Sequence, residues 1–253
     1  ISATDNEIGI RTRIDCNSEG DHSFTLNGKK LSSILKELPK GEVSLDVGEN
    51  FVVGITSKNV KGNYRLVGTA KGEYPEIPVF EDESAIEIDQ QLFRDMIRKV
   101  LYAAATDLVK PAFNGVYFVS EEAGKITAVA TDSKRLSLAS IRIANDVKID
   151  EGIIVPLKTI HEIIRLLSNY GTCLFYPGQT QCFFKIGDTE VVSRVVDGQF
   201  PNYRQVIPLE HRIIATASTS KIIESLRRVM VFTREPSYKV ILNFKKNVLK
   251  IEA

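Results

Sequence analysis

An internal repeat with a period of about 127 residues limits the folds that this sequence can adopt. Four short matches recur in the same order: Ala3-Thr4-Asp5 with Ala130-Thr131-Asp132, Ile34-Leu35-Lys36 with Ile163-Ile164-Arg165, Gly72-Glu73-Tyr74-Pro75 with Gly198-Gln199-Phe200-Pro201, and Arg98-Lys99-Val100 with Arg227-Arg228-Val229. A single triplet is weak, but four in order at nearly constant spacing indicate tandem copies of one folding unit. The repeat therefore predicts a partial first domain, a complete second and the opening of a third.

This phasing places the domains at residues 1–82, 83–209 and 210–253. The predicted linkers are the polar segments 81–84 and 208–212. The chain opens at Ile1 within a strand-like stretch, and residues 248–253 end on strand-like alternation. We therefore expect a fragment that lacks both ends of the natural protein.

Short strands outnumber helices in the predicted secondary structure. Strand-like stretches rich in β-branched and aromatic residues cover 43–47, 51–55, 63–69, 116–119, 126–130, 136–143, 173–176, 182–186, 190–196 and 240–244. Apolar residues at helical spacing cover 29–38, 89–104, 157–169 and 218–233. Many strands with few helices predict an α+β fold, in which antiparallel sheets carry helices on one face.

The composition excludes several classes of protein. The 253 residues are 43% apolar and 26% charged, which is ordinary for a folded protein and does not suggest intrinsic disorder. No apolar run approaches the roughly 18–20 residues of a membrane span, so no membrane role is predicted. The three cysteines form no C-x-x-C pair, which favours a reducing compartment and a cytoplasmic location.

Positive charge is concentrated on the predicted helices. The four segments carry six excess positive charges, so the rest of this chain of net charge +1 carries five excess negative ones. In the second helix, Leu92, Phe93, Met96, Ile97 and Val100 form the predicted buried stripe. Arg98 lies opposite the stripe, with Arg94 and Lys99 at its flanks. The fourth helix is predicted to bury Ile222, Ile223, Leu226, Val229 and Met230.

The cationic faces have two interpretations. Lys and Arg commonly populate solvated helix faces, so the charges could meet only water. However, Lys36 and Arg165 occupy matching positions of repeated helices, and all four helices share the same sign of charge. This recurrence favours a surface that binds an external anion.

No catalytic, metal or cofactor site is predicted. The three histidines are scattered, and the sequence has no G-x-S-x-G, phosphate-loop or G-x-G-x-x-G motif. Asp5 and Asp132 each follow a strand and precede a polar turn, so they are better interpreted as turn residues than as paired catalytic carboxylates. Cys173 and Cys182 flank one predicted hairpin and are interpreted as small core residues.

Two longer motifs resemble a known family. The strings Ala130-Thr131-Asp132-Ser133-Lys134-Arg135-Leu136 and Val196-Asp197-Gly198-Gln199-Phe200-Pro201-Asn202-Tyr203 lie about 60 residues apart, with Val155-Pro156-Leu157-Lys158 between them. Together they resemble the bacterial DNA polymerase III beta subunit, the DNA sliding clamp. The resemblance covers essentially the whole chain.

The resemblance implies a DNA-clamp fold, in which two three-domain subunits form a head-to-tail ring with sheets outside and helices lining the hole. It implies double-stranded DNA as a partner, bound by cations on the helices. The implied DNA-binding residues are Lys36, Arg94, Arg98, Lys99, Lys158, Arg165, Lys221, Arg227 and Arg228. Two alternatives stay open: an interaction scaffold that does not bind DNA, and an enzyme whose nucleophile or metal site the motifs do not reveal.

The family also binds short peptides of the DNA polymerase III catalytic subunit, the clamp loader and other proteins in a cleft between its second and third domains. The matching positions are Lys110, Phe113, Thr131, Ser133, Lys134, Arg135, Leu136, Pro201, Gln205 and Val206. Three departures from the family pattern predict an altered peptide preference: Ser133-Lys134 stands where Gly-His is usual, Phe113 where Leu is, and Gln205 where Arg is. Leu136 and Val206 could instead be core residues.

Overall fold

The four predicted helices are present in the computed structural model, which describes residues 1–79, 85–107, 110–144, 149, 151–233 and 238–253. They are α1 (Gly28–Glu37), α2 (Gln90–Leu101), α3 (Leu157–Leu166) and α4 (Thr219–Met230). Asn27 caps α1 by accepting a hydrogen bond from the Lys30 amide at 3.0 Å, and Asp89 caps α2 through the Leu92 amide at 2.9 Å. The predicted linker 81–84 lies outside the described residues.

Seventeen strands are found in these described ranges. They are β1 (Ser2–Thr4), β2 (Ile8–Thr12), β3 (Phe24–Thr25), β4 (Val43–Val47), β5 (Val52–Ser57), β6 (Val60–Val67), β7 (Thr69–Ala70), β8 (Ile86–Asp89), β9 (Gly115–Glu122), β10 (Lys125–Thr131), β11 (Leu136–Arg142), β12 (Ile153–Pro156), β13 (Thr172–Pro177), β14 (Gln181–Ile186), β15 (Thr189–Arg194), β16 (Ile241–Lys245) and β17 (Val248–Glu252). All strand pairs are antiparallel, which confirms the predicted α+β class.

The largest sheet joins the first two copies of the repeat. Its strand order is β1-β2-β15-β14-β13-β8, and the central β2–β15 pairing sets Gly9 opposite Val192 and Ile10 opposite Val191. A four-stranded sheet has the order β11-β10-β9-β12, and β4-β5-β6 form a three-stranded sheet. Backbone hydrogen bonds therefore cross from one predicted domain into the next.

Helix α2 packs on the six-stranded sheet, on the four-stranded sheet and on α3, and α3 packs on β9 and β12 of the four-stranded sheet. Phe93 of α2 lies in the middle of the core, with its ring centroid 5.8 Å from those of Phe118 and Phe175 and 6.3 Å from that of Phe184. Phe175 and Phe184 stack at 4.7 Å. All four side chains are fully buried, so this cluster fixes α2 against the two sheets.

The chain divides into two compact units, Ile1–Pro201 and Asn202–Ala253. In the second unit, α4 packs on β17 of a two-stranded hairpin. The predicted buried stripe of α4 is wrong in part, because Ile223 and Met230 are 42% and 60% exposed. A two-stranded hairpin is too narrow to cover a whole helix face. The second predicted linker, 208–212, contains neither helix nor strand.

Leu92 is also misplaced by the sequence prediction, since its side chain is 51% exposed. At 100° per residue, Leu92 lies about 90° from the middle of the stripe formed by Phe93, Met96, Ile97 and Val100. It therefore falls at the stripe's edge. No helix in the described part of the chain is long and apolar enough to cross a bilayer.

Candidate functional site

Helix α2 presents the clearest cationic surface. It buries Phe93, Met96, Ile97 and Val100, and its remaining surface carries Arg98 opposite this stripe and Lys99 at its flank, both exposed. Neither side chain forms an ion pair with the described residues. The two charges lie in the last turn, where the partial negative charge of the helix terminus favours them. They are therefore available to an external anion.

Arg94, also predicted to bind DNA, is engaged within the protein. Its Nη1 donates to the Leu167 carbonyl at 3.2 Å, and its Nη2 donates to Asn169. Its Nε is buried and has no hydrogen-bond partner in the described ranges. Arg94 thus ties α2 to the C-terminal end of α3, where a guanidinium satisfies carbonyl groups left open by the last turn.

The two predicted cations of α3 are both paired with carboxylates. Lys158 Nζ contacts Asp5 and lies 3.0 Å from Glu7 Oε2. The hydrogen bond to Asp5 raises the pKa of Lys158 and, reciprocally, lowers that of Asp5. Arg165 Nη1 lies 2.7 Å from Glu162 Oε1, but its side chain is 72% exposed. Such a surface pair contributes under about 1 kcal/mol, so a phosphate can replace the carboxylate.

The remaining predicted DNA contacts lie on α1 and α4. Lys36 is exposed in the last turn of α1, and Lys221, Arg227 and Arg228 are exposed on α4 of the second unit. Arg228 Nη2 donates to Ser225 Oγ at 3.2 Å, a bond within its own helix. All four cations are thus displayed to solvent within their own units.

The turn at the start of the predicted cleft is built by its own polar side chains. Thr131 Oγ1 donates to the Arg135 carbonyl at 2.7 Å, and Asp132 Oδ1 accepts from the Lys134 and Arg135 amides at 2.9 Å each. These backbone bonds, with that from Arg135 Nε, hold the pKa of Asp132 below its ordinary value. The interpretation of Asp132 as a turn residue is confirmed.

The first copy of the repeat builds the same turn. Thr4 Oγ1 donates to the Ile8 carbonyl at 2.9 Å, and Asp5 Oδ1 accepts from the Glu7 and Ile8 amides at 3.1 Å each. Asn6 and Ser133 take the left-handed conformation at matching positions, with φ of 72° and 74°. This agreement in donors, acceptors and dihedral angles shows that the two segments are structural copies.

An aromatic floor lies beside the second turn. Phe200 stacks on Tyr117 at 4.6 Å with an interplanar angle of 3°, and Phe113 meets the edge of Phe200 at 6.5 Å. Lys110 Nζ lies 5.1 Å from the centre of the Phe113 ring. Burial raises the pKa of Tyr117. The sequence identified Lys110 and Phe113, but it missed Tyr117 and Phe200, although Phe200 stands in the quoted motif.

The remaining cleft residues are distributed over both units. In the first unit, Leu136 is half-buried and Ser133, Lys134, Arg135 and Pro201 are exposed. The Arg135 guanidinium lies 5.7 Å from the ring centre of Tyr102, a 61% exposed side chain that sequence reasoning missed. In the second unit, Gln205 and Val206 lie in the short 3-10 helix Tyr203–Val206. Val206 is 68% exposed, so it is not a core residue.

Two of the three cysteines are core residues, whereas Cys16 is exposed. Cys173 and Cys182 are fully buried, and burial raises the pKa of each thiol to about 12. Both are therefore inert at neutral pH, as predicted for core residues. Across the described ranges, no three His, Cys, Asp or Glu side chains come together as a metal site.

Comparison with known sequences and structures links this chain to replication proteins. The N-terminal domain of the DNA polymerase III beta subunit matches residues 1–78, and the central domain of that subunit matches residues 87–202. The beta sliding clamp of Halalkalibacterium halodurans is 29% identical over 238 residues, which cover 93% of this chain and 61% of that protein. The chain thus spans less than two thirds of that relative.

Solved structures agree. The beta sliding clamp of Caulobacter crescentus aligns with a TM-score of 0.88 at 29% identity, over 99% of this chain and 68% of that one. A Pseudomonas aeruginosa sliding clamp bound to griselimycin aligns with a TM-score of 0.88 at 25% identity and the same coverage. The predicted resemblance is confirmed.

Proposed function

Because this chain belongs to the family of DNA polymerase III beta subunits, we propose that it forms part of a sliding clamp that encircles duplex DNA. In this proposal, residues 1–82, 83–209 and 210–253 belong to three successive clamp domains, and two subunits close a homodimeric ring. The ring slides without sequence specificity and tethers the replicative polymerase. The observation that carries the proposal is the exposed Arg98–Lys99 pair on α2, outside a fully buried apolar stripe.

Electrostatic binding alone cannot explain long retention on DNA. Basic side chains gain affinity by releasing counterions from the phosphates, with a Kd of about 10⁻⁴–10⁻⁶ M at physiological salt. With an on-rate near 10⁸ M⁻¹s⁻¹, a Kd of about 10⁻⁵ M implies roughly 10³ dissociations per second. A closed ring removes this limit, because escape then requires opening the ring, whereas the weak contacts still permit sliding.

The nine proposed DNA contacts differ in how readily they can reach a phosphate. Lys36, Arg98, Lys99, Lys221, Arg227 and Arg228 are exposed and make no ion pair with described residues. Arg165 exchanges a surface carboxylate for phosphate at small cost. Lys158 and Arg94 must break internal bonds, so we expect them to contribute least.

Salt titration of a short duplex tests the DNA role. We expect the logarithm of the binding constant to fall linearly with the logarithm of salt concentration, by about 0.9 for each phosphate neutralised. An affinity that does not change with salt would support the scaffold that does not bind DNA.

We further propose that Phe113, Thr131, Leu136, Pro201 and Val206 supply the apolar part of a partner-peptide cleft. Lys110, Ser133, Lys134, Arg135 and Gln205 would flank it. The aromatic floor formed by Tyr117 and Phe200 supports Phe113, which meets the edge of the Phe200 ring. Peptides of the polymerase III catalytic subunit and the clamp loader are the proposed ligands. Because Gln205 lacks the charge of the usual Arg, acidic peptides should gain less there.

Griselimycin is a practical probe of this cleft, since a related clamp binds it. We expect the chain to bind griselimycin and Val206→Asp to weaken that binding, because a carboxylate would be desolvated against an apolar ligand. The matched control is Ile214→Asp, at an apolar position of the second unit that is 83% exposed. Equal affinities for both variants would contradict the assignment of Val206.

The same proposal makes the protein an accessory subunit with no catalytic step of its own, working in the bacterial cytoplasm. Its contribution to DNA synthesis would be to lengthen the time that the polymerase stays on the DNA. Adding it to a polymerase should therefore lengthen the products of each binding event, and the isolated protein should leave DNA covalently unchanged.

A further inference from the structure

A cavity of about 200 Å³ opens inside the first unit, where the β2–β15 pairing meets segment 75–78. Ile8 and Gly9 of β2, Val192 of β15 and Ile77 of the segment supply its apolar walls. A volume of this size exceeds that of a 150 Å³ cavity that accommodates benzene. It therefore suits a single apolar side chain better than a drug-sized molecule.

The cavity is preformed by contacts within the protein. The Ile77 carbonyl accepts a hydrogen bond from Arg11 Nη2 at 3.1 Å, which holds segment 75–78 beside the sheet. Gly9 permits this approach, because a Cβ there would lie 2.9 Å from Val192 Cγ1 and 3.0 Å from Ile77 Cγ2. The pocket wall is thus fixed before any ligand arrives.

The repeat relates this cavity to the proposed partner cleft. The Thr4–Ile8 turn at its edge has the same hydrogen bonds as the Thr131–Arg135 turn of the cleft, and Pro75 matches Pro201. The cavity therefore occupies, in the first copy, the position that the cleft residues occupy in the second.

The charges around the two sites differ. Lys134 and Arg135 of the second turn are replaced by Glu7 and Ile8 in the first. Glu7 is paired with Lys158, and Arg194 also lines the cavity. Glu76 is exposed at the rim and has no ion pair with the described residues. An incoming chain therefore meets the unpaired carboxylate of Glu76 on the segment side and the exposed guanidinium of Arg194 on the strand side. With Glu7, these leave the lining with one excess negative charge, which favours a basic over an acidic ligand.

We propose that this cavity is a second peptide-binding pocket, which takes one apolar side chain of an extended partner segment and pairs a flanking Lys or Arg with Glu76. Its assignment as a docking site rests on the proposed function, through the repeat that relates it to the cleft. Its preference for basic over acidic segments separates its ligands from those of the cleft. The ring would then offer two peptide sites per subunit with different partners.

Two synthetic peptides test the pocket: acetyl-Ala-Lys-Leu-Lys-Ala-amide and its counterpart with Glu in place of Lys. Amide NMR of the 253-residue chain should show shifts at Gly9, Ile77 and Val192, with the Lys peptide binding about two- to fivefold more tightly. Glu76→Lys should reverse this preference. The matched control Glu73→Lys lies three residues earlier and outside the pocket lining, and it should retain the preference.

Three outcomes overturn the proposal: no shifts at the pocket, no preference between the peptides, or the same effect from Glu73→Lys and Glu76→Lys. Shifts confined to Asp132–Arg135 would place the peptide in the cleft, and would overturn the second pocket while leaving the proposed function intact. Shifts at the pocket in a chain that shows no salt-dependent DNA binding would contradict the proposed function and leave the second pocket supported. The failures of the two proposals are therefore distinguishable.

Discussion

Ser133 occupies a backbone conformation that its side chain disfavours. Its φ of 74° lies in the left-handed region, which costs a residue with a Cβ roughly 1–2 kcal/mol. The turn holds it there through the bonds of Thr131 and Asp132. This strain gives a physical reason why Gly is usual at that position in the family.

Ser133→Gly should therefore raise the free energy of unfolding by about 1 kcal/mol, after allowing for the greater freedom of Gly in the unfolded chain. Urea denaturation measures the change. Asn6→Gly at the matching turn is the control, and it should change stability by less than about 0.5 kcal/mol because Asn tolerates this conformation. Equal effects at the two sites would contradict the strain at Ser133.

The Asp5–Lys158 pair predicts a pH dependence. Asp5 has a lowered pKa in the folded state, so its contribution is present above the unfolded pKa of about 3.9 and is lost as pH falls through the folded value. Lys158 has a raised pKa, so its contribution is lost only as pH rises through that value, above 10.5. The pair should therefore stabilise the fold evenly between these limits.

Asp5→Asn should lower the free energy of unfolding at pH 7 by less than about 1 kcal/mol, because the pair is half exposed. The amide oxygen keeps the turn bonds, so the change isolates the charge. The difference from the parent chain should vanish in acid, where both side chains are neutral. A deficit that persists below the folded pKa of Asp5 would show that the turn itself had been damaged.

The roles of Arg94 and Lys158 could not be deduced from the sequence. Their partners, Leu167, Asp5 and Glu7, lie far along the chain and are brought near only by packing of α2 on α3 and pairing of β2 with β15. Helical periodicity placed Arg94 at the flank of the apolar stripe of α2, and Lys158 was assigned from the family resemblance alone. Periodicity carries no information about which exposed cation finds an internal acceptor.

The helices were predicted within a few residues of their observed ends, because apolar periodicity is a local signal. The strands β2, β3, β8 and β12 were missed. For β8 and β12 the reason is that each has only four residues and runs directly into a helix. The aromatic floor was missed for another reason. Tyr117 and Phe200 lie far apart in sequence, and only the fold stacks them.

The aromatic cluster around α2 should dominate the stability of the first unit. Phe93→Ala removes a ring that lies within 6.3 Å of three others. We expect a loss of about 3–5 kcal/mol, measured by urea denaturation, because the surrounding sheets can close the cavity only partly. Phe51→Ala, at a 37% exposed ring, is the control and should cost much less. A small loss at Phe93 would mean that α2 is held mainly by other contacts.

The exposed cations of α2 should contribute measurably to duplex binding. Arg98→Ala with Lys99→Ala should weaken duplex binding and reduce the magnitude of the salt slope by up to about 1.8, since two phosphate contacts are lost. Lys61→Ala with Arg65→Ala removes the same charge from the exposed surface of β6. Only the helix pair should change the slope, which separates a DNA-facing surface from a general effect of net charge.

Over the whole chain, net charge gives no indication of the proposed DNA binding. A chain of net charge +1 does not suggest a nucleic-acid binder, yet its helices carry the cations and its remaining segments the excess acid. The continuous sheet β1-β2-β15-β14-β13-β8 joins successive copies of the repeat through backbone hydrogen bonds. The proposed ring would need such joins between successive copies.

Topological binding to DNA is tested by measuring how long the full-length protein stays on circular and on linear duplexes. The protein is loaded by a bacterial clamp loader, its proposed partner, onto a nicked circular duplex. The bound fraction is followed by gel filtration before and after linearisation, at salt that suppresses simple electrostatic binding. A ring should stay on the circle and be lost from the ends of the linear molecule. Equal loss from both, or equal retention on both, would contradict topological binding.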